Sequence, residues 1–119
     1  MEMTRAFYER VHTEQVVLDI GQDIGALVVY TGKELRGREI EVSTKGDDTN
    51  RTHTAVLERR VNGRVVFAGV FAALPSGDYT IWMDPAHEVT ITGGFVAEVD
   101  CRNCTNIYAP YAYQHRSRE

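Results

Sequence analysis

FAALPSGDYTIWM, Phe71 to Met83, is the stretch whose reading decides the fold. An apolar run ends in Leu74-Pro75-Ser76-Gly77, and beyond it Tyr79, Ile81 and Met83 alternate with Asp78, Thr80 and Trp82. Proline fixes φ and lacks the N–H that a central ladder needs, while glycine accepts positive φ. Together they predict a tight corner between two extended segments. The period of two after the corner predicts a strand with one face in a core.

Working outward, Asn62-Gly63 is the strongest hairpin signal, because both positions tolerate the positive φ of a type I′ turn. It predicts strands over Thr52 to Val61 and Arg64 to Phe71 with Val61 opposite Arg64. Continuing that register puts Leu57 opposite Ala68, Ala55 opposite Val70 and His53 opposite Ala72 on one face. Val56, Glu58 and Arg60 then oppose Gly69, Phe67 and Val65 on the other.

The same alternation predicts strands over Val16 to Ile20, Ala26 to Thr31, Glu39 to Ser43, Tyr79 to Met83 and Val89 to Thr92. Gly93-Gly94 reads as a second tight hairpin leading into Phe95 to Val99. Lys45 to Asn50, KGDDTN, has no apolar anchor and reads as an exposed loop. Only Thr4 to Gln15 has helical spacing, with Thr4 as a cap and Phe7, Tyr8 and Val11 on one stripe.

The expected fold is therefore all-β: a single antiparallel β-sandwich of seven or eight strands over 15–100, with an N-terminal arm or short helix over 1–14 and an aromatic C-terminal arm over 101–119. Its expected core is Val16, Leu18, Ala26, Val28, Tyr30, Ile40, Val42, Leu57, Val66, Val70, Leu74, Tyr79, Ile81 and Ile91.

The Leu74-Pro75-Ser76-Gly77-Asp78-Tyr79 corner resembles the L-P-x-G-x-Y corner of transthyretin-like, carboxypeptidase-regulatory-like and CNA-B-like β-sandwich modules. Val16 to Cys104 also resembles small bacterial proteins without an assigned activity. The resemblance implies a fold and no mechanism, because folds of this kind host unrelated functions. Transthyretin-like folds include a purine-pathway hydrolase whose C-terminal Tyr-Arg-Gly-Ser ending is not found here; this chain ends Tyr113-Gln114-His115-Arg116-Ser117-Arg118-Glu119.

With 119 residues, 43% of them hydrophobic, the chain has enough apolar surface for one core. Its formal charge of −4 provides no broad positive field for phosphate backbones, which argues against nucleic acid as a partner. Residues 1–15, MEMTRAFYERVHTEQ, include acids and no apolar run, unlike a Sec-type signal peptide. No stretch approaches the roughly 18 apolar residues of a membrane span. These features predict a soluble, cytoplasmic protein that does not associate with membranes.

The chain has two cysteines, Cys101 and Cys104, in a C-x-x-C. Two thiolates at that spacing suit one edge of a zinc site or a redox disulfide; otherwise they are reduced thiols in a tail. Zinc needs about four ligands. The histidines available to complete a set are His115, the first choice, with His12, His87 and His53. His53 reads as a core-edge histidine, or as a base oriented by Asp47 or Asp48 in a small hydrolase. Asp47 and Asp48 are also oxygen ligands for calcium if Asp23 or Asp84 lies near. Trp82 offers a surface for stacking a sugar or a base, or it is a half-buried sandwich aromatic.

Tyr108, Tyr111 and Tyr113, with Arg116, give the C-terminal arm the amphipathic anchors typical of protein interfaces. The expected function is thus a non-catalytic binding or assembly module whose arm contacts a protein partner or a second copy of the chain. The alternatives are a small zinc-binding protein or hydrolase, and a carbohydrate-binding sandwich.

Overall fold

A computed structural model describes residues 20–105. The expected helix over Thr4 to Gln15, Val16 to Asp19 of the first expected strand, the arm over 1–14 and everything after Thr105 lie outside the described residues. Within them the chain forms β1 (Ile24–Thr31), a 3₁₀ turn (Lys33–Leu35), β2 (Glu39–Thr44), β3 (Thr52–Val61), β4 (Arg64–Pro75), β5 (Gly77–Trp82), β6 (His87–Ile91) and β7 (Val96–Cys101).

The Asn62-Gly63 turn has φ of 53° and 80°, and it sets Val61 opposite Arg64 and Leu57 opposite Ala68 as its type requires. That register ends at Val56, opposite Gly69. The first part of β3 pairs with β2 instead, so Ala55 lies opposite Glu39 rather than Val70, and His53 opposite Glu41 rather than Ala72. At the changeover Val56 N–H donates to the Arg38 carbonyl at 2.9 Å, and Thr54 Oγ1 donates to the Val70 carbonyl at 2.9 Å where a ladder bond would otherwise form.

Because β3 belongs to both halves, the strands make one seven-stranded sheet in the order β6-β5-β2-β3-β4-β1-β7. Every pair is antiparallel except β1 with β7, which is parallel. The fold is all-β as expected, but it is a mixed sheet curled nearly into a barrel rather than an antiparallel sandwich.

The Leu74 to Gly77 corner carries the chain across this sheet, since β5 lies between β2 and β6 and not beside β4. Tyr79 OH donates to the Pro75 carbonyl at 2.7 Å, and Ser76 donates to the Asp23 carbonyl through both N–H (2.7 Å) and Oγ (2.9 Å). A one-residue irregularity in β4 sets Leu74 opposite Gly25 and Phe71 opposite Leu27, so both apolar side chains reach the same core.

That core also takes Leu27, Val29, Ile40, Val42, Val56, Tyr79, Ile81 and Ile91. Leu57, expected inside, is 39% exposed, and Val56 is buried in its place. Leu57 shares the face of Ala68, which belongs to the second cluster, whereas Val56 shares the face of Gly69, over which the Ile40 and Thr54 methyls pack. Val66 is half-buried. On the opposite face of the sheet, Ala26, Val28, Ala68, Val70 and Val96 form a second cluster, with Ile20, Tyr30 and Val61 against it. β1 is thus buried on both faces, as suits a strand inside a sheet between β4 and β7.

Gly93-Gly94 does not make a hairpin between paired strands. Phe95 N–H donates to the Thr92 carbonyl at 3.1 Å, and the turn docks on β1 through Gly94 N–H to Ile24 O (2.9 Å) and Ala26 N–H to Phe95 O (3.0 Å). A Cβ on Gly93 would lie 1.7 Å from the Gln22 carbonyl oxygen, so only glycine allows this approach. Docked there, the turn sends β7 along β1 in parallel instead of back along β6. The two sheet edges, β6 and β7, then lie side by side with no strand ladder between them.

Candidate metal centre

The seam between the two edges carries the chemistry. β7 turns Ala97, Val99 and Cys101 toward the core and leaves Glu98 and Asp100 exposed, as period two dictates. After Cys101 the chain makes one tight turn, with Cys104 N–H donating to the Cys101 carbonyl at 3.0 Å, and both sulfurs join the main core. Asp100 braces the turn: its carboxylate accepts from Arg102 N–H (3.1 Å), Nε (2.9 Å) and NH2 (2.7 Å). These bonds from Arg102 hold the Asp100 carboxyl far below the usual carboxylate range and raise the Arg102 guanidinium in turn. Beyond the turn, Thr105 and Asp84 exchange backbone bonds of 2.8 and 2.9 Å across the seam. That bridge delivers His87, the first residue of β6, to the thiols.

Among the described residues, His87, Cys101 and Cys104 are the one trio of ligand-type side chains whose donor atoms converge, all within 4.8 Å. His87 Nδ1 lies 3.7 Å from Cys101 Sγ and 3.9 Å from Cys104 Sγ, and the two sulfurs lie 2.7 Å apart. Cys101 is 0% and Cys104 5% exposed, and His87 is half-buried. Burial pushes the Cys101 thiol well above its ordinary value, with the Cys104 hydrogen bond and the Asp100 charge acting in the same direction. Without a cation, Cys101 therefore keeps its proton at neutral pH.

This donor set fits zinc, which prefers thiolate and imidazole. Bond lengths of about 2.3 Å to sulfur and 2.0–2.1 Å to nitrogen make tetrahedral edges of roughly 3.6 Å for S···N and 3.8 Å for S···S. Both observed S···N separations are close to that edge. The sulfur pair would have to open by about 1 Å, within reach of χ1 adjustments. His87 Nδ1 also lies 3.0 Å from the Pro85 carbonyl, to which it donates when protonated. Ligation through Nδ1 would shift that proton to Nε2 and break the bond to Pro85.

The other expected sites fare differently. His115, expected as the histidine ligand, lies outside the described residues, as do His12, Tyr108, Tyr111, Tyr113 and Arg116. His53 pairs with Glu39 at 3.3 Å rather than with a loop aspartate. Asp47 closes its own loop, accepting from Thr49 N–H (3.0 Å) and Oγ1 (2.7 Å) and from Asn50 Nδ2 (3.3 Å). The Thr49 bonds lower its pKa. Asp47 and Asp48 form no converging trio with Asp23 or Asp84. Trp82 donates from Nε1 to Ser43 Oγ at 2.9 Å, and the Arg51 guanidinium covers one face of its ring at 4.1 Å.

His87 was one of several histidines the sequence offered, and one signal singles it out. Counting outward from Gly93-Gly94 sets His87 opposite Asp100, next to Cys101. The strands do not pair, yet the chain still doubles back there, and the proximity survives. No family model, curated protein or solved structure matches the chain.

Proposed function

We propose that the chain is a small β-domain closed by a zinc ion, held by Cys101, Cys104 and His87 with a fourth ligand from water or from a residue outside the described ones. The observation that carries this reading is the convergence of two buried thiols and an imidazole from opposite edges of one sheet. A metal there would join strands that share no ladder, and structural zinc contributes directly to folding. A groove of about 670 Å³ opens nearby, with Tyr30, Lys33, Arg64, Phe67 and Arg102 in its walls, but none of the three ligands lines it.

In this reading the domain is a non-catalytic binding or assembly module. The Leu74 to Tyr79 corner supports its likeness to transthyretin-like modules, and Tyr108, Tyr111, Tyr113 and Arg116 supply contacts for a protein partner or a second copy.

Elemental analysis of protein purified without chelator tests the metal. The expected result is about one zinc per chain, lost in Cys101→Ser and in His87→Ala. Less than about 0.2 zinc per chain, with both thiols open to alkylation, overturns the reading. Deleting Tyr108 to Glu119 tests the arm: an unchanged mass in solution and unchanged partner capture would remove it from the proposal.

A further inference from the structure

Two of the three ligands belong to one side of the seam. Cys101 and Cys104 share the turn at the end of β7, and only His87 comes from β6. A metal therefore links the edges, whereas a bond between the sulfurs would be local to the turn. The sulfurs approach to 2.7 Å, inside non-bonded contact, and the Cys101 to Cys104 turn already brings the two backbones together. A disulfide, at about 2.05 Å, is thus reached with a small further movement.

We infer that this centre is a redox-gated clip, in which a small peroxide oxidises Cys101 and Cys104 to a disulfide, expels the zinc and unfastens β6 from β7. The inference rests on the zinc reading above. Burial restricts the oxidant, because Cys104 is 5% exposed and Cys101 not at all. A small oxidant such as hydrogen peroxide is therefore favoured over a bulky disulfide such as oxidised glutathione.

In the first step the Cys104 thiolate attacks one peroxide oxygen, the O–O bond breaks, and the departing hydroxide takes a proton from solvent to leave as water. Cys104 is then a sulfenic acid. In the second, the Cys101 thiolate attacks that sulfur, the S–S bond forms, and the hydroxyl leaves with a second solvent proton as another water. The two sulfurs lose two electrons, the peroxide gains them, and zinc departs as the hydrated ion. His87 is left without a metal, and its Nδ1 regains the proton it donates to Pro85.

The Asp84 and Thr105 amides report on the seam, since each donates across it, at 2.8 and 2.9 Å. The test treats the zinc-loaded full chain with hydrogen peroxide and follows zinc release with a chromogenic chelator, thiols by alkylation and mass, and amide exchange. One zinc released for every two thiols lost, with the Asp84 and Thr105 amides exchanging about tenfold faster and the β1–β4 amides unchanged, supports the inference. His87→Ala should show the same fast amides before any peroxide is added, with both thiols intact. Zinc that stays bound while peroxide is consumed, thiols that oxidise beyond a disulfide, or a seam that keeps its protection after zinc leaves each overturn the gate and leave the zinc site standing. A chain that takes up no zinc at all overturns both.

Discussion

The curled sheet is closed in two places, and they differ in kind. At the Leu74 to Gly77 corner, closure uses groups present under all conditions: the Tyr79 hydroxyl on the Pro75 carbonyl, Ser76 on the Asp23 carbonyl, and Leu74 in the core. At the seam, the backbone contributes the Asp84–Thr105 bridge, Val89 and Ile91 of β6 share the main core with Ala97 and Val99 of β7, and two thiols and an imidazole converge. The corner is built from neutral hydrogen bonds and burial, which depend weakly on pH, metal or oxidant. The seam alone adds groups whose bonding changes with all three. A single core can thus have one permanent closure and one conditional closure, with function expected at the second.

The largest effect expected is on the seam. Stripping zinc with a chelator should lower stability by about 4 kcal/mol at free zinc a thousandfold above its dissociation constant, read as a fall in denaturation midpoint. Cys101→Ser should give the same low midpoint with or without added zinc. If chelator leaves the wild-type midpoint in place, the contrast between the two closures collapses.

Next comes the corner. Leu74→Ala removes a buried side chain and should cost about 2–5 kcal/mol. Its loss should be the same in zinc-loaded and zinc-free protein, because it lies in the permanent closure. A loss that depends on zinc would mean that corner and seam are coupled.

Tyr79→Phe deletes the bond to Pro75 and keeps the ring, and about 1 kcal/mol is expected from urea melts. A neutral substitution would assign the corner to Leu74 and Pro75 alone.

The smallest effect is a pH dependence that separates the two states of the seam. Without metal, folding raises the Cys101 pKa. Its protonated form is favoured in the folded chain, so the contribution is complete below the ordinary thiol value of 9.0 and is lost as pH rises above it. With zinc the sign reverses, because protons compete for the thiolates and the imidazole, and stability should fall as pH is lowered. Melts of both forms across pH 5 to about 10 check this, and parallel curves would exclude metal ligation by these thiols.

Much of the architecture was legible in the sequence. The Asn62-Gly63 register, the strand at Glu39–Thr44 and the corner all follow from φ preferences and a period of two, which act over a few residues. Two neighbouring features misled for the same reason. Gly93-Gly94 has the local form of a hairpin, but its turn docks on β1, and Leu57 has the pattern of a core residue, but the main core lies on the other face of β3, with Val56. Of the candidate site, the two cysteines were visible and the histidine was one among several.

By itself the sequence determined an all-β chain, the Asn62-Gly63 turn, the Leu74 to Gly77 corner, and the C-x-x-C pair Cys101 and Cys104. Only the tertiary structure decided that the edges β6 and β7 meet, that β7 runs parallel to β1, and that His87 is the histidine at the thiols. The physical reason is range. Backbone preference and alternation are written residue by residue, whereas which edges meet depends on the curl of the whole sheet, set by β3 serving both halves and by the close approach at Gly93.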